Sequence, residues 1–304
     1  ATGTMNPYER AKVHIAHGYG LTGAGVKIGI VDTGFNLVGG VAQHNEFNGK
    51  LTRLVSSPPV ANDSHGAHVA GLALANRDGV AMQGIAYGAQ LYLGDKQDSP
   101  LQIKAIWDEF TANGVKVSSN SYGINVTGNA ASAWNPVETK TNDFEVTAKN
   151  FLAYRDAQGV SSAQAFATVH GGLAADWTSA VASFNDIANG RKGLDDVDTL
   201  TGLPLIFPEL KGGWIAVSNG ISLGLAIQEN GAAETTAATL KEGNIVLNSA
   251  QCGIGKDFCL TMDGTAVRSG SNTGVTSYTT STGTSMATPM VAGMLALLRE
   301  AFPT

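Results

Sequence analysis

Charged side chains are scarce in this sequence: they make up 14% of its 304 residues, and no Lys/Arg-rich cluster occurs among them. This low fraction, together with 38 glycines, argues against a coiled coil or a disordered tail. The net charge of −6 and the missing basic cluster argue against nucleic acid and an anionic membrane surface as partners. The longest apolar stretch, residues 286–298, is shorter than the roughly 18 residues of a membrane span, so no membrane insertion is expected within this chain.

Cysteine is also scarce: Cys252 and Cys259 are the only two in the sequence. Gly253 and Gly255, between them, favour a turn that would bring the two Cα atoms within disulfide range. The alternative is two free thiols in a cytosolic protein. The sequence favours the bridge, and a bridge would place the protein outside the cytosol.

Predicted strands and helices alternate along the chain. With 43% apolar residues, this alternation predicts an α/β fold with a mostly parallel central sheet and helices on both faces. No repeat or linker interrupts it, so a single domain over residues 1–304 is expected. The predicted strands are 26–31, 115–120, 214–217 and 245–247; the predicted helices are 101–113, 143–157, 173–184 and 286–301.

An acidic loop, Asp195, Asp196 and Asp198, offers carboxylate oxygens of the kind that calcium binds. The loop lacks the spacing of any defined calcium site, so a solvated turn is favoured. A structural calcium ion is therefore a possibility that the sequence does not support.

Asp32 is the first candidate for chemistry. It ends the predicted strand in the segment Ile-Val-Asp-Thr-Gly, and open α/β sheets place their active sites at the carboxyl ends of their strands. An Asp before Thr-Gly is also a common turn former, so this segment alone leaves both interpretations open.

His65 opens the segment His-Gly-Ala-His-Val-Ala-Gly, where Asp63 or Ser64 can cap a helix that starts at the histidine. The positive end of a helix dipole disfavours imidazolium. A carboxylate bonded to Nδ1–H would then leave Nε2 as a base. A metal pair of His65 and His68 is the alternative, but no Glu follows in the zinc-protease pattern, so we expect no metal and a buried structural role for His68.

Ser285 lies in Gly-Thr-Ser-Met-Ala-Thr-Pro, between a glycine and the start of a helix. Its hydroxyl would be exposed at the helix N-terminus, where unpaired backbone N–H groups can stabilise an oxyanion. Pro289 would be tolerated in the first helical turn and costly deeper inside. A simple N-cap role is the alternative for this segment alone.

The three segments IVDTG, HGAHVAG and GTSMATP, in this order, resemble the subtilase family of serine proteases across nearly the whole chain. The resemblance implies a subtilisin-like fold and a serine endopeptidase that acts through an acyl-enzyme. It implies that Asp32 orients His65, that His65 is general base and then acid, and that Ser285 is the nucleophile. No catalytic cofactor is implied.

The same resemblance identifies Ser121, Tyr122 and Gly123, after a predicted strand, as the substrate-binding strand. Their backbone would pair with an extended peptide by β-augmentation. The expected partners are therefore protein or peptide substrates, and the chain is expected to be a monomer.

Several segments also resemble subtilase passenger domains of Gram-negative autotransporters, in which a cysteine pair precedes the serine motif. This second resemblance implies a secreted or cell-surface protein with a Cys252–Cys259 disulfide. The segments are residues 25–29, 46–51 and 208–214 together with the cysteine pair. Subtilase domains usually continue for another helix or two after the helix that carries the serine. The resemblance therefore implies a domain that is truncated at Thr304.

The family's side-chain oxyanion donor, normally an Asn after a hydrophobic strand, has no clear counterpart. The strand is expected between residues 190 and 208, where the sequence is not strand-like. Asn189 is the nearest candidate, followed by Asn185, while His170 fits if residues 173–190 are an insertion. A missing donor would favour the alternative function, a catalytically weak passenger domain that acts in binding or adhesion. An esterase with the same triad is a further alternative.

Overall fold

The computed structural model describes residues 6–35, 43–56, 64–95, 100–121, 166–168, 213–222, 245–247 and 257–303. The helices within these ranges are α1 Pro7–Arg10, α2 Val13–Gly18, α3 His65–Leu74, α4 Pro100–Ala112 and α5 Thr284–Ala301, and a 3-10 turn lies at Asn45–Phe47. The strands are β1 Lys27–Asp32, β2 Leu51–Arg53, β3 Gln90–Asp95, β4 Val117–Asn120, β5 Phe166–Thr168, β6 Trp214–Ser222, β7 Ile245–Leu247, β8 Cys259–Met262, β9 Val267–Gly270 and β10 Tyr278–Ser281.

The main sheet runs in the order β2-β3-β1-β4-β5-β6-β7, and β8 also pairs with β6. All of its pairings are parallel except that of β6 with β7. Strands β9 and β10 form a separate antiparallel hairpin. The predicted α/β class and mostly parallel sheet are confirmed.

Strand β1 lies in the middle of this order and is buried, as its β-branched run predicted. Ile28, Ile30 and Val31 are fully buried, because a strand flanked by parallel neighbours and covered by helices meets no water. At Gly29 a Cβ atom would lie 2.5 Å from the ring of Phe110 in α4, so the missing side chain lets this helix pack directly on the sheet.

The predicted element boundaries hold to within two residues where they can be compared, except at the end of β6. This strand continues five residues beyond the predicted 214–217, and α5 begins two residues before the predicted position 286. The predicted helices at 143–157 and 173–184 lie outside the described residues. Within the described ranges, no helix is both long and apolar enough to cross a lipid bilayer.

Candidate active site

Four strands end side by side at one edge of the sheet. Asp32 of β1 pairs with Asp95 of β3, and Val31 of β1 pairs with Asn120 of β4. Asn120 in turn pairs with Thr168 of β5. The carboxyl ends of parallel strands form the edge at which open α/β sheets bind their ligands. The polar residues at these strand ends therefore lie next to one another.

Asp32 is 3% exposed, and its carboxylate is held in place by two hydrogen bonds to one oxygen. The backbone N–H of Thr33 donates to Oδ1 at 2.8 Å, and Nδ1 of His65 lies 2.7 Å from the same atom. A carboxylate fixed in this way sets the orientation and the tautomer of the imidazole, with the proton on Nδ1 and Nε2 available as a base.

His65 is the first residue of α3, and a close backbone contact sets its position. Ser64 occupies the N-cap, as expected, but its side chain makes no capping bond. Instead, the N–H of Gly66 donates to the carbonyl of Thr33 at 2.6 Å. A Cβ atom at Gly66 would lie 2.4 Å from that carbonyl oxygen. Only glycine lets α3 begin this close to the end of β1, and this approach brings the imidazole to Asp32.

His68, one helical turn further on, is buried with 2% exposure. Burial lowers its pKa from 6.5 to about 4, so the ring is neutral at physiological pH. Among the described residues no group of three or more His, Cys, Asp or Glu side chains could hold a metal ion. The acidic loop at Asp195, Asp196 and Asp198 lies outside those residues.

Ser285 is the second residue of α5 and is 7% exposed. No described residue accepts a hydrogen bond from its backbone N–H, as expected for the first turn of a helix. Helix α5 packs against α3 and against the sheet.

The first turns of α3 and α5 lie at the same sheet edge. Ser121 immediately follows β4 and donates from its hydroxyl to the carbonyl of Ser285 at 3.0 Å, which ties the start of α5 to this edge. Further along, a Cβ at Gly293 would lie 3.0 Å from the carbonyl of Ala73. The two helices therefore also approach each other closely eight residues after Ser285 and His65.

The expectation for Pro289 needs correction. It is the sixth residue of α5, inside the helix and past the first turn. Proline has no N–H, so the carbonyl of Ser285, four residues earlier, lacks its usual helical donor. The hydroxyl of Ser121 bonds to that same carbonyl. This contact offsets the loss, which the sequence alone did not show.

The remaining predicted site residues are only partly described. Of the predicted substrate strand, Ser121 is buried at the end of β4, while Tyr122 and Gly123 lie outside the described residues. The oxyanion candidates Asn189, Asn185 and His170 lie outside them too.

A short strand lies earlier in the chain than residues 190–208, where the family's hydrophobic strand was expected. Strand β5, Phe166–Thr168, pairs with both β4 and β6. It falls in the short apolar run before His170, the context of the third oxyanion candidate. The sequence signal was weak because the strand has only three residues.

Asp95 lies at the same sheet edge as Asp32 and was not predicted from the sequence. It is fully buried and is the strand partner of Asp32. The available signal was a second short apolar strand, β3, that also ends in an aspartate.

The cysteine pair is only partly described. Cys259, at the start of β8, is not a free thiol. Cys252 lies outside the described residues, so the pairing stays a prediction.

Comparisons with known proteins agree with this geometry. The sequence profile of the peptidase S8 subtilase family matches residues 23–304. An extracellular serine protease of Serratia marcescens is 25% identical over 344 residues, covering 97% of this chain and 29% of that protein. Subtilisin BL of Lederbergia lenta is 34% identical over 86 residues, covering 27% of this chain and 30% of that protein. Each alignment thus covers less than a third of the relative's own length.

Among solved structures, the MycP3 protease of the type VII (ESX-3) secretion system superposes with a TM-score of 0.62. Its sequence identity is 15%, and the alignment covers 99% of this chain and 78% of that one. At this identity the likeness shows the fold alone. With the profile match over nearly its full length, the chain belongs to the subtilase family.

Proposed function

We propose that this chain is a secreted serine endopeptidase that hydrolyses peptide bonds through an acyl-enzyme, with Asp32, His65 and Ser285 as its triad. The observation that carries the proposal is the 2.7 Å contact between Asp32 and His65, next to the first turn of the helix that bears Ser285. A buried carboxylate, an imidazole and a helix-start serine at one sheet edge provide the groups that acyl transfer needs.

The chemistry follows from the positions of these groups. Nε2 of His65 takes the proton of the Ser285 hydroxyl as Oγ bonds to the carbonyl carbon of the substrate. The backbone N–H of Ser285 then donates to the oxyanion of the tetrahedral intermediate. Collapse breaks the C–N bond, and His65 returns the proton to the leaving amine. Water repeats the sequence on the acyl-enzyme and releases the acid.

An extended peptide is the substrate class that suits the edge next to β4. The backbone of Ser121, Tyr122 and Gly123 would pair with it by β-augmentation. Such pairing needs substrate residues on the acyl side of the scissile bond, which favours an endopeptidase over an esterase for small molecules. Comparing turnover of a peptide with that of its matched ester tests this choice.

His170 is our preferred side-chain donor to the oxyanion. Strand β5 ends at Thr168, beside Asn120 and therefore at the edge that carries the triad. His170 follows that strand end by only two residues, and a chain spans at most about 3.6 Å per residue. Asn185 and Asn189 follow Thr168 by many more residues, so the chain length constrains their distance from this edge far less.

The side-chain donor can be identified by comparing three variants. His170→Ala should lower kcat about 100- to 1000-fold with little change in KM, the cost of losing one oxyanion donor. Asn189→Ala and Asn185→Ala serve as matched controls and should retain the wild-type kcat. A large loss in either control, with normal activity in His170→Ala, would refute the assignment.

An active-site probe tests the proposed function as a whole. A fluorophosphonate should label the wild type and the control Ser277→Ala, but not Ser285→Ala. His65→Ala should fold normally, as judged by circular dichroism, and lack peptide hydrolysis. An unlabelled wild type would instead support the alternative, a passenger domain that binds or adheres and hydrolyses little.

An extracellular location and the Cys252–Cys259 disulfide are part of the proposal. The location is supported by the description of the Serratia marcescens relative as extracellular. Thiol titration of the denatured protein before and after reduction should show two additional thiols after reduction. Equal counts would rule out the bridge.

A further inference from the structure

A second carboxylate lies beside the proposed triad. Asp95 is the strand partner of Asp32, and the two are 0% and 3% exposed. Partner residues on adjacent parallel strands lie about 4.8 Å apart and project from the same face of the sheet. Two like charges this close and this shielded from water repel strongly unless one of them is compensated.

Arg53, the last residue of β2, supplies the compensation. Its Nη1 atom donates to Oδ2 of Asp95, and the two side chains are 23% and 0% exposed. The register places Arg53 opposite Leu93, two residues before the end of β3. The guanidinium therefore approaches Asp95 from the strand on the side away from Asp32.

Other charged groups in the described part of the chain lie near this pair. From α4, the Glu109 carboxylate accepts hydrogen bonds from the backbone N–H groups of Val55 and Ser56, two and three residues after Arg53. From α3, His65 bonds to Asp32, and His68 is buried and neutral at physiological pH. From the hairpin packed against α3, Arg268 lies over the ring of Tyr278. Strand β4 and the first turn of α5 contribute no charged side chain.

We propose that Arg53 and Asp95 form a positioning pair that neutralises the carboxylate next to Asp32 and thereby sets the pH at which His65 changes charge. This inference rests on the proposed function for its catalytic meaning. It predicts that removing Arg53 and removing Asp95 shift the titration midpoint of His65 in opposite directions. An ion pair with only a structural role would not shift this midpoint according to the sign of the charge removed.

Arg53→Met would remove one positive charge beside the Asp95 carboxylate. The more negative surroundings favour imidazolium, so the titration midpoint of His65 and the acidic limb of kcat/KM should move to higher pH by about 0.5–1 unit. Asp95→Asn would remove one negative charge from the pair, and both should move to lower pH. The double variant Arg53→Met/Asp95→Asn should return close to the wild-type midpoint, and Arg53→Lys should remain there.

The midpoint is measured by NMR titration of the His65 ring in a Ser285→Ala background, where no self-cleavage occurs. Arg77→Met is the matched control, because it removes an exposed arginine that bonds to Tyr87, and it should cause no shift. Shifts of the same sign in both single variants, or no shift in either, would overturn the inference.

The NMR readout does not depend on turnover. If fluorophosphonate fails to label the wild type, the proposed function fails, while the His65 titration still decides whether the ion pair acts on His65. If the wild type is labelled and the titrations do not respond, only the inference fails.

Discussion

At the scale of single residues, the carbonyl of Ser285 shows how the proposed nucleophile is held. Pro289 removes the helical donor that this carbonyl would otherwise have, and the Ser121 hydroxyl replaces it. The start of α5 is thereby attached to the end of β4, next to the strand that carries Asp32. A residue predicted for substrate binding thus also holds the helix that carries Ser285.

Ser121→Ala should destabilise the protein by about 1–3 kcal/mol, because it leaves a buried carbonyl without a donor. It should also lower kcat more than it raises KM, since the helix start loses its attachment. Pro289→Ala restores a backbone N–H to the same carbonyl, so the double variant Ser121→Ala/Pro289→Ala should recover part of both losses. Urea denaturation and steady-state kinetics would measure this cycle, and strictly additive effects would argue against the shared carbonyl.

His68 gives stability a defined dependence on pH. Burial lowers its pKa from 6.5 to about 4, so between these values the unfolded chain binds a proton that the folded protein does not. The contribution of His68 is therefore fully present above pH 6.5 and is lost as the pH falls towards 4. A difference of this size corresponds to about 3 kcal/mol.

The free energy of unfolding should accordingly fall more steeply in the wild type than in His68→Gln over that range. Denaturant titrations at pH 7 and pH 4.5 on both proteins would measure the difference. Parallel declines would show that other groups cause the acid sensitivity.

At the scale of elements, the sequence was informative where patterns were long and uninformative where they were short. Strand β1 was predicted within one residue, because a β-branched run between glycines suits a buried parallel strand. Ser64 occupies the N-cap as expected, but its side chain makes no capping bond, and a backbone contact between Gly66 and Thr33 sets the helix start instead. Strand β5 was missed because three residues carry too little periodicity to distinguish a strand from a loop.

The residues of the proposed triad could be predicted only as a set. Each of the three segments alone is compatible with a turn or a helix cap, and the family resemblance across all three made the assignment specific. The Asp95–Arg53 pair had no motif to identify it, because strand register cannot be read from one sequence without the sheet order.

The close approach of α3 to the end of β1 can be tested at Gly66. Gly66→Ala should cost about 1–3 kcal/mol through overpacking, because the added methyl meets the backbone oxygen of Thr33. The helix start must then retreat, and kcat/KM should fall at least about tenfold as the His65–Asp32 contact lengthens. Gly18→Ala, in α2, is the control, because a Cβ atom added at Gly18 would have no neighbouring atom within 4 Å. It should be neutral or slightly stabilising by thermal denaturation, and an equal loss in both variants would point to a general intolerance of alanine.

At the scale of the whole molecule, an ion pair joins helix α1 to a segment more than 250 residues later in the chain. Arg10 and Asp263 form a buried ion pair at 3.1 Å, with side chains 7% and 8% exposed. Asp263 precedes Gly264, whose carbonyl accepts from the N–H of Gly283 at the start of α5. The first helix therefore supports the loop on which α5 begins.

Arg10→Met should destabilise the fold by about 3–5 kcal/mol, because it leaves a buried carboxylate without its partner. The double variant Arg10→Met/Asp263→Asn should be markedly more stable than Arg10→Met alone, since no buried charge remains. Chemical denaturation of the wild type and the three variants would measure the coupling. A double variant as unstable as the sum of the single ones would contradict it.

The late position of α5 in the chain has a consequence for biosynthesis. A polypeptide that leaves the ribosome amino end first completes Asp32 and His65 long before the segment that carries Ser285. Under the proposed mechanism, hydrolysis begins only when α5 has packed beside α3. The nascent chain would thus be protected from its own cleavage until the segment that carries Ser285 has been made.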